Sequence, residues 1–425
     1  FLFSVGLFVP VFKRGKLEKF LIILLLKIIF QIWFKEKKLM TLQIKIINSL
    51  DKIDEDIWDS CSKSISSKGK PYDPFTTYRF LRALEKSKSV GEGTGWYPQH
   101  LLALRNKEVV GVVPMYLKSN SQGEYIFDHN WAHAYQNAGG SYYPKLQISV
   151  PFTPATGRRF LLKYENDKDT PLEILKYIKS LAANNKLSSV HITFCEIDEK
   201  LIPIREGFLS RETYQFHWKN HNFKDFEEFL GKLSSRKRKA IKKERKVANS
   251  FGGKIVQYSG DNITMEHWHY FWKFYQDTGK RKWGAPYLTW EFFKEIHKTM
   301  RNDILLVLAF NKGEAIAGAL NFVGSKTLFG RYWGATEYHK FLHYELCYYQ
   351  AIDYAINNGL EKVEAGAQGD HKISRGYLPH KTHSLHWFLH NGMHEAIQNY
   401  LVGEKESIDF DTGYIRNLSP FKELN

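Results

Sequence analysis

Cysteine is scarce in this chain of 425 residues: Cys61, Cys195 and Cys347 form neither an even framework nor a metal-like spacing. That excludes a disulfide-stapled scaffold and fits a reducing compartment with cysteines as buried fillers. Long apolar runs are missing as well. The longest, Phe20 to Phe34, holds 15 residues and is interrupted by Lys27 and Gln31, short of the roughly 20 needed to span a bilayer. No small-residue cleavage site follows it, as a signal peptide would require. There is no Gly-x-Ser-x-Gly elbow and no Walker loop. Gly91-Glu-Gly-Thr-Gly95 has no strand before it and is not read as a nucleotide loop. His267-x-His269 and the pair His380/His383 lack a cysteine or carboxylate partner in a recognised pattern, so no metal is expected.

Acidic residues are under-supplied, 45 against 61 basic ones, for a net charge of +16. Residues 1–39 carry +6 of it and leave a basic body of +10. This segment is read as a spurious or flexible upstream extension, the alternative being an amphipathic membrane anchor. Met40-Thr-Leu-Gln-Ile-Lys-Ile opens the first credible strand.

Present in quantity are aromatic residues, 15%, within 43% hydrophobic residues, ample for packed cores and against disorder. The length predicts two domains, and the sequence repeats itself accordingly. Leu101-Leu-Ala-Leu-Arg-Asn-Lys-Glu-Val-Val-Gly111, followed by Tyr125-Ile-Phe-Asp-His-Asn-Trp131, matches Leu305 to Gly318 followed by Leu328-Phe-Gly-Arg-Tyr-Trp333. Ala182-Ala-Asn-Asn-Lys-Leu-Ser-Ser-Val190 returns as Ala355-Ile-Asn-Asn-Gly-Leu-Glu-Lys-Val363. A unit near 200 residues is a duplicated domain, not a solenoid repeat.

Each copy predicts a β-hairpin around Asn-Lys, then a third strand carrying Phe127/Trp131 or Phe329/Trp333. A helix follows, with apolar residues at Leu172, Leu175, Ile178 and Ala182, or at Leu346, Tyr349, Ile352 and Ile356. Thr170 and Pro171 are the expected N-cap and N1 of the first helix, and Gly359 the C′ residue of the second. A short strand closes each unit, Ser189 to Phe194 and Lys362 to Ala365. This order resembles the GNAT acyl-CoA N-acyltransferase fold. The expected class is α+β: two tandem GNAT-like domains with mixed, mostly antiparallel sheets flanked by helices. They are placed at 40–220 and 221–405, with a C-terminal tail at 406–425.

Residues 232–246 hold nine cations against Glu244 alone. Ser234 or Ser235 can cap a helix there, with only a thin apolar stripe. The bland reading is a solvated helix between domains; the functional one is a phosphate-binding face using Arg236, Lys237, Arg238, Lys242 and Lys243. Such contacts hold tRNA, a nucleotide-linked substrate or anionic lipid without choosing sequence, and no specific DNA is expected.

Tyr72-Asp-Pro-Phe, Ser89-Val-Gly-Glu-Gly-Thr-Gly-Trp96, Pro114-Met-Tyr-Leu-Lys-Ser119 and Tyr143-Pro-Lys-Leu-Gln147 resemble the FemAB-like group within the GNAT superfamily. So do Val150-Pro-Phe-Thr-Pro-Ala-Thr-Gly157, Ser235-Arg-Lys-Arg-Lys239, Lys282 to Thr289, Gly330-Arg-Tyr-Trp-Gly334 and Glu364 to Lys372. The resemblance spans about residues 50–400. It implies an N-acyltransferase acting on an amine of a cell-envelope or peptidoglycan-type precursor, with acyl-CoA or aminoacyl-tRNA as donor. A bacterial, cytoplasmic or membrane-peripheral setting goes with it. The competing reading is a non-catalytic protein whose duplicated folds hold tRNA, lipid or an envelope glycan precursor.

By the same resemblance, a pyrophosphate would sit on the loop after the third strand, where Thr156, Gly157, Arg158 and Arg159 are the cofactor candidates. The alternative is a Pro-stiffened turn. The second copy has Glu337-Tyr-His-Lys-Phe-Leu-His343 there, without glycine. Its polar cluster, Glu364 to Gly376, supplies candidate bases in Glu364, Asp370 and His371, and Lys372 to hold an oxyanion. Fem enzymes carry a lysine in a similar late loop. Arg331, Trp333, Gln368 and Arg375 are candidate substrate contacts, with cation–π packing the alternative for Arg331. Asp128 and His129 are placed at the first-domain cleft or on a surface strand end. The cluster is expected to converge on one cleft with Arg331; otherwise it is a structured turn.

A protein starting at Met40 is expected to be soluble and to melt at the temperature of the full chain. Loss of folding on that truncation, seen by circular dichroism, would overturn the reading of residues 1–39.

Overall fold

The structure, a computed structural model, describes residues 42–63, 71–164, 166–282 and 286–422, together with Lys27. The expectation for residues 1–39 otherwise lies outside the described residues. The early strands are β1 (Gln43–Ile47), β2 (Trp96–Pro98), β3 (His100–Arg105), β4 (Glu108–Val113) and β5 (Met115–Lys118). Then come β6 (Lys145–Ile148), β7 (Leu161–Leu162), β8 (Ser189–Cys195), β9 (Leu209–Lys219) and β10 (Lys254–Tyr258). The last are β11 (Ile304–Asn311), β12 (Glu314–Val323), β13 (Thr327–Ala335), β14 (Lys362–Glu364) and β15 (Leu378–Phe388).

Six helices bear on the site. They are α1 (His129–Asn137), α2 (Asp169–Asn184), α3 (Ser235–Ala248), α4 (Met265–Lys282), a composite α5 and α6 (Asn391–Asn417). Helix α5 runs Leu342–Tyr344, a π turn Glu345–Tyr349, then Gln350–Asn357.

Both expected hairpins form. Asn106-Lys107 (φ 50° and 68°) and Lys312-Gly313 (φ 48° and 90°) put two consecutive residues in the left-handed region. That is the type I′ turn whose twist matches paired strands. The apolar faces of α2 and α5 are buried at Leu175, Ile178 and Ala182, and at Leu346, Tyr349, Ile352 and Ile356. The α2 cap sits earlier than expected, since Asp167 Oδ1 accepts the N–H groups of Asp169 and Thr170 at 3.1 and 2.9 Å. Gly359 follows α5 at φ 63°, as a C′ glycine should.

The third strand of the first copy is not at Phe127/Trp131 but at β6, which pairs antiparallel with β5 and parallel with β8. Residues 129–137 are helix α1, and Trp131 is buried edge-on to His386 and Phe388 at 4.9 and 5.8 Å. Two helix-favouring alanines, 132 and 134, and Gly139-Gly140 at the end override the weak resemblance to Phe329/Trp333. Residues 406–417, expected as tail, form the second half of α6.

A small sheet has the order β1-β3-β4-β7; the large one reads β10-β11-β12-β13-β14-β9-β15-β8-β6-β5-β2. The sheet is unbroken from one repeat to the other because the strands after each helix–strand unit are exchanged. β15 pairs with β8 of the first repeat, and β9 pairs with β14 of the second. One aromatic core joins the two: Phe75 meets Phe322 and Phe329 at 5.2 and 5.0 Å, and Phe80 meets Phe292 at 5.7 Å.

Fragments 42–220 and 221–422 are therefore expected to show no cooperative melting alone and to recover it when co-expressed. Calorimetry decides: a sharp transition from either fragment by itself would contradict the exchanged pairing.

Candidate active site

β13 and β14 run parallel and pair over three residues only, from Thr327–Lys362 to Phe329–Glu364. Beyond that point they diverge. β13 continues to Ala335, while Ala365 and Gly366 bond the backbone of Phe216 on β9. The register sets His217 opposite Glu364 and His380 opposite Gln215. Facing residues share a sheet face and strands have a period of two. Glu364, His217, Gln215 and His380 thus form one polar patch on the face toward the first repeat.

The patch is buried apart from His380. His217 stacks on His380 at 4.5 Å, and its Nε2 lies 3.9 Å from Glu364 Oε2. Lys362 holds the other carboxylate oxygen at 2.6 Å. Among the described residues, neither nitrogen of His217 has a hydrogen-bond partner; nor do Glu364 Oε2, Gln215 Oε1 and Thr156 Oγ1. Each orphaned buried polar atom costs about 1–3 kcal/mol. Such atoms are the ones that a bound group or water would satisfy. Burial, with His380, Lys362 and Lys219 nearby, holds the His217 pKa well below the usual range, so the ring is neutral.

The first repeat provides the facing wall. Asp73 caps the turn Pro74–Thr76 by accepting the N–H of Phe75 at 2.9 Å. Its Oδ2 occupies space that only a glycine leaves open, since a Cβ on Gly157 would stand 2.4 Å away. Burial, helped by the charge of Glu364, pushes the Asp73 carboxyl up to about 6, against the Phe75 N–H and the Arg159 and Arg158 guanidiniums. A carboxylate that titrates near neutrality beside a second carboxylate can take a proton from an attacking amine.

A bulge at Leu320/Asn321 re-aims β13. Arg331 then lies over Phe75, 5.8 Å from its centroid, and its Nη2 donates to the Phe152 carbonyl. Tyr332 donates to the same oxygen at 3.3 Å. Phe152 reaches that position only at φ 57°, a strained conformation for a residue with a side chain. Trp333 faces the opposite side. There an open cleft of about 700 Å³ lies between the end of β13 and the start of α5, lined by Trp333, His339, Lys340, His343, Tyr344 and Arg281. The divergence of β13 from β14 is thus flanked by polar residues on one face and a cleft on the other.

The expected cluster is divided between these faces. Glu364 and Arg331 face the first repeat. His371 accompanies the cleft, stacked on Tyr344 at 5.2 Å with Nε2 3.0 Å from the Tyr348 hydroxyl. Arg375 lies over Tyr344 at 3.5 Å and donates to both oxygens of Glu244 at 2.8 Å. Lys372 turns inward, its Nζ donating to the carbonyls of Ala365, Gly366 and Gln368 at 2.6, 3.4 and 2.5 Å. Asp370 and Gln368 are exposed. The segment fails to converge because the 3-10 turn Asp370–Arg375, bracketed by Gly369 and Gly376 at φ 102° and 87°, winds away from the strand end.

The first-repeat loop is closed on itself. Arg159 donates to the carbonyls of Thr193, Arg158 and Ala155 at 2.8, 3.0 and 2.8 Å, and Arg158 to that of Ser62. Gly157 donates its N–H to Phe194 at 3.0 Å. These groups point at protein, where a pyrophosphate was expected. Asp128 is buried, accepting from Lys145 at 2.5 Å and Tyr142 at 2.7 Å, while His129 is exposed. Asp128 is the N-cap of α1 and His129 its first residue, so neither sits on a strand end.

On α3, Arg236, Lys242 and Lys243 are exposed, and Lys237 and Arg238 half-buried. Lys237 bonds Ser374 at 2.7 Å and Lys242 pairs with Glu227 at 2.6 Å, so the helix leans on the turn beside the cleft. Sequence reasoning missed Asp73, Gln215, His217 and His380 as site residues. The Tyr72-Asp-Pro-Phe motif offered a signal for the first; the others are joined only by the exchanged strands.

A profile of the FemAB-like family, described as peptidoglycan biosynthesis/recognition, matches residues 49–423. No curated protein matches the sequence. Among solved structures, FemX is similar with 15% identity and a TM-score of 0.51, over 81% of this chain and 98% of that one. The C-terminal domain of a putative lysylphosphatidylglycerol synthetase from Agrobacterium fabrum is similar with 7% identity and a TM-score of 0.51, over 83% and 97%. At these identities both matches speak to the fold, whereas the family match covers nearly the whole described body. The chain therefore belongs to the FemAB-like family and is an acyltransferase of the tandem GNAT fold.

Proposed function

We propose that the protein transfers an aminoacyl group from an RNA-borne ester to an amine of a peptidoglycan-type precursor. The donor end would lie in the cleft at Trp333 and Tyr344, the amine against Asp73 and Glu364. The carrying observation is the divergence of β13 from β14, which gives both faces of the sheet access to one point.

The donor class follows from what flanks the cleft. A coenzyme A pyrophosphate takes several backbone N–H groups at a strand-to-helix turn. Here the Leu342 N–H is already taken by the His339 carbonyl at 3.1 Å, and Glu337 stands on the approach to α5, a poor match for that group. A polynucleotide needs positive charge near the cleft instead, and α3 offers it. A donor of this kind sets the reaction in the cytoplasm.

In the transfer the amine nitrogen bonds to the ester carbonyl carbon and the carbon–oxygen bond breaks. The ester supplies the activated carbonyl. Asp73, its charge disfavoured by burial and secondarily by Glu364, takes the amine proton and returns it to the leaving oxygen. Glu364, with one free oxygen, orients the amine.

Glu364→Gln, which removes the group that orients the amine, is expected to lower the transfer rate about 100-fold with an unchanged melting temperature. Asp73→Asn should flatten the rise of rate through pH 6. Its stability effect has a definite sign. The folded carboxyl binds its proton more tightly than the ordinary value of 3.8 allows, so its contribution is full below pH 4 and lost as pH rises through about 6. The variant should thus gain melting temperature at pH 7.5 relative to pH 4; equal shifts at both would refute the burial of charge.

Replacing Arg236, Lys237, Lys242 and Lys243 with Gln should weaken tRNA binding and flatten its logarithmic salt slope by about 3. Unchanged affinity and slope would return α3 to a solvated face.

A further inference from the structure

A second hollow, of about 450 Å³, opens at the β10 end of the large sheet. Its walls are rings: Tyr258 of β10, His267 and Tyr270 of α4, and Phe310 of β11. Tyr258 and Tyr270 stand edge-on to Phe310 at 6.3 and 6.2 Å, with interplanar angles of 74° and 87°. Tyr258 leans on His267 at 3.9 Å. The rings beneath, Trp268 and Phe271, are fully buried, whereas all four wall rings are half-open. Gly252 and Gly313 leave the rim bare: nothing lies within 4 Å of where their Cβ atoms would be.

The rim charge selects the ligand. Lys254 and Lys312 are exposed there against one carboxylate, Glu266, which accepts from the Tyr270 hydroxyl at 3.3 Å, and Lys254 Nζ already lies 5.8 Å from the Phe310 centroid. An aromatic cage for a cation is thereby disfavoured, because like charges would meet at its mouth. A flat π-system joined to negative charge satisfies both rings and lysines, which describes a nucleotide.

The position agrees. Helix α3, with Arg236, Lys239, Lys243 and Lys246 exposed, ends at Ala248, and the chain passes through Phe251 directly into the rim at Gly252–Lys254. Phe251 packs on His339 of the large cleft at 5.3 Å. Helix α4 lines both hollows, with Tyr270 at one and Arg281 at the other. That separation along the helix is about 16 Å, close to five stacked nucleotides at about 3.4 Å each.

We propose that this hollow stacks an unpaired base of the donor RNA, about five nucleotides from its aminoacylated end. The inference rests on the aminoacyl-RNA reading above and gives it a second anchor. It is tested with the full chain and a single-stranded RNA of about eight nucleotides, within the usual site size, carrying 2-aminopurine at successive positions from the 3′ end. Quenching is expected at one position near the fifth. Tyr258→Ser and Tyr270→Ser should each abolish it and weaken binding about tenfold, the loss of one base stack, with melting temperature and salt slope unchanged. Lys254→Gln with Lys312→Gln should keep the quenching and flatten the slope by about 1.4.

The proposal falls if no position is quenched, or if an abasic nucleotide at the quenched position binds as tightly as the base. Quenching without aminoacyl transfer would instead leave the hollow in place and sink the transferase reading. Failure of the RNA to bind at all would remove both.

Discussion

Strand β9 leaves the first repeat after β8 and inserts between β14 and β15 instead of pairing with its predecessor. The placement of the polar residues depends on this insertion. A slip of one residue would turn Gln215 and His217 to the other face. What holds the register is their neighbours: Phe216 and Trp218 alternate with them and are 1% and 0% exposed in the core against α5. Burying each is worth about 2–3 kcal/mol, so a slipped strand would lose both rings to a polar environment. The apolar half of the strand thus fixes the polar half, including atoms that lack partners of their own.

The two repeats have come to differ in how they treat the gap between their parallel strands. In the first, residues 155–159 fold back and bond Thr193 and Phe194. In the second the gap stays open, because the chain after Glu364 turns toward β9. The closed loop still serves the open gap. Gly157 admits Asp73, the Pro154 carbonyl accepts from Gln215 at 2.8 Å, and the Phe152 carbonyl holds Arg331 and Tyr332. One repeat has become the wall of the other's site.

Local signals were legible in the sequence wherever local physics decided the outcome. The Asn106-Lys107 and Lys312-Gly313 turns, the 3.6-residue stripes of α2 and α5 and the stop at Gly359 all follow from short-range preference. The Phe127/Trp131 segment misled because a matched aromatic pair was read as a strand, although its intervening residues favour helix. The site was legible in part: Glu364, Arg331, Trp333 and Gly157 were singled out, but their faces were not. A bulge separates Arg331 from Trp333, and a 3-10 turn separates Glu364 from His371. Neither leaves a mark in the spacing. His217 and His380 could not be joined by any local rule, because they meet through strands far apart in the chain.

The exchanged strands also set the order in which the protein can be completed. His191 on β8 meets His386 on β15 across a separation of 195 residues. At about 5–20 residues per second, β8 waits roughly 10–40 s on the ribosome for its neighbour. An unpaired strand edge is a template for foreign strands during that interval. β8 meets the wait with His191 and Thr193 on one face, both polar, while Val190 and Ile192 pack under α2. The face that waits is therefore polar, and the half-made sheet carries its apolar residues on the side that α2 already covers.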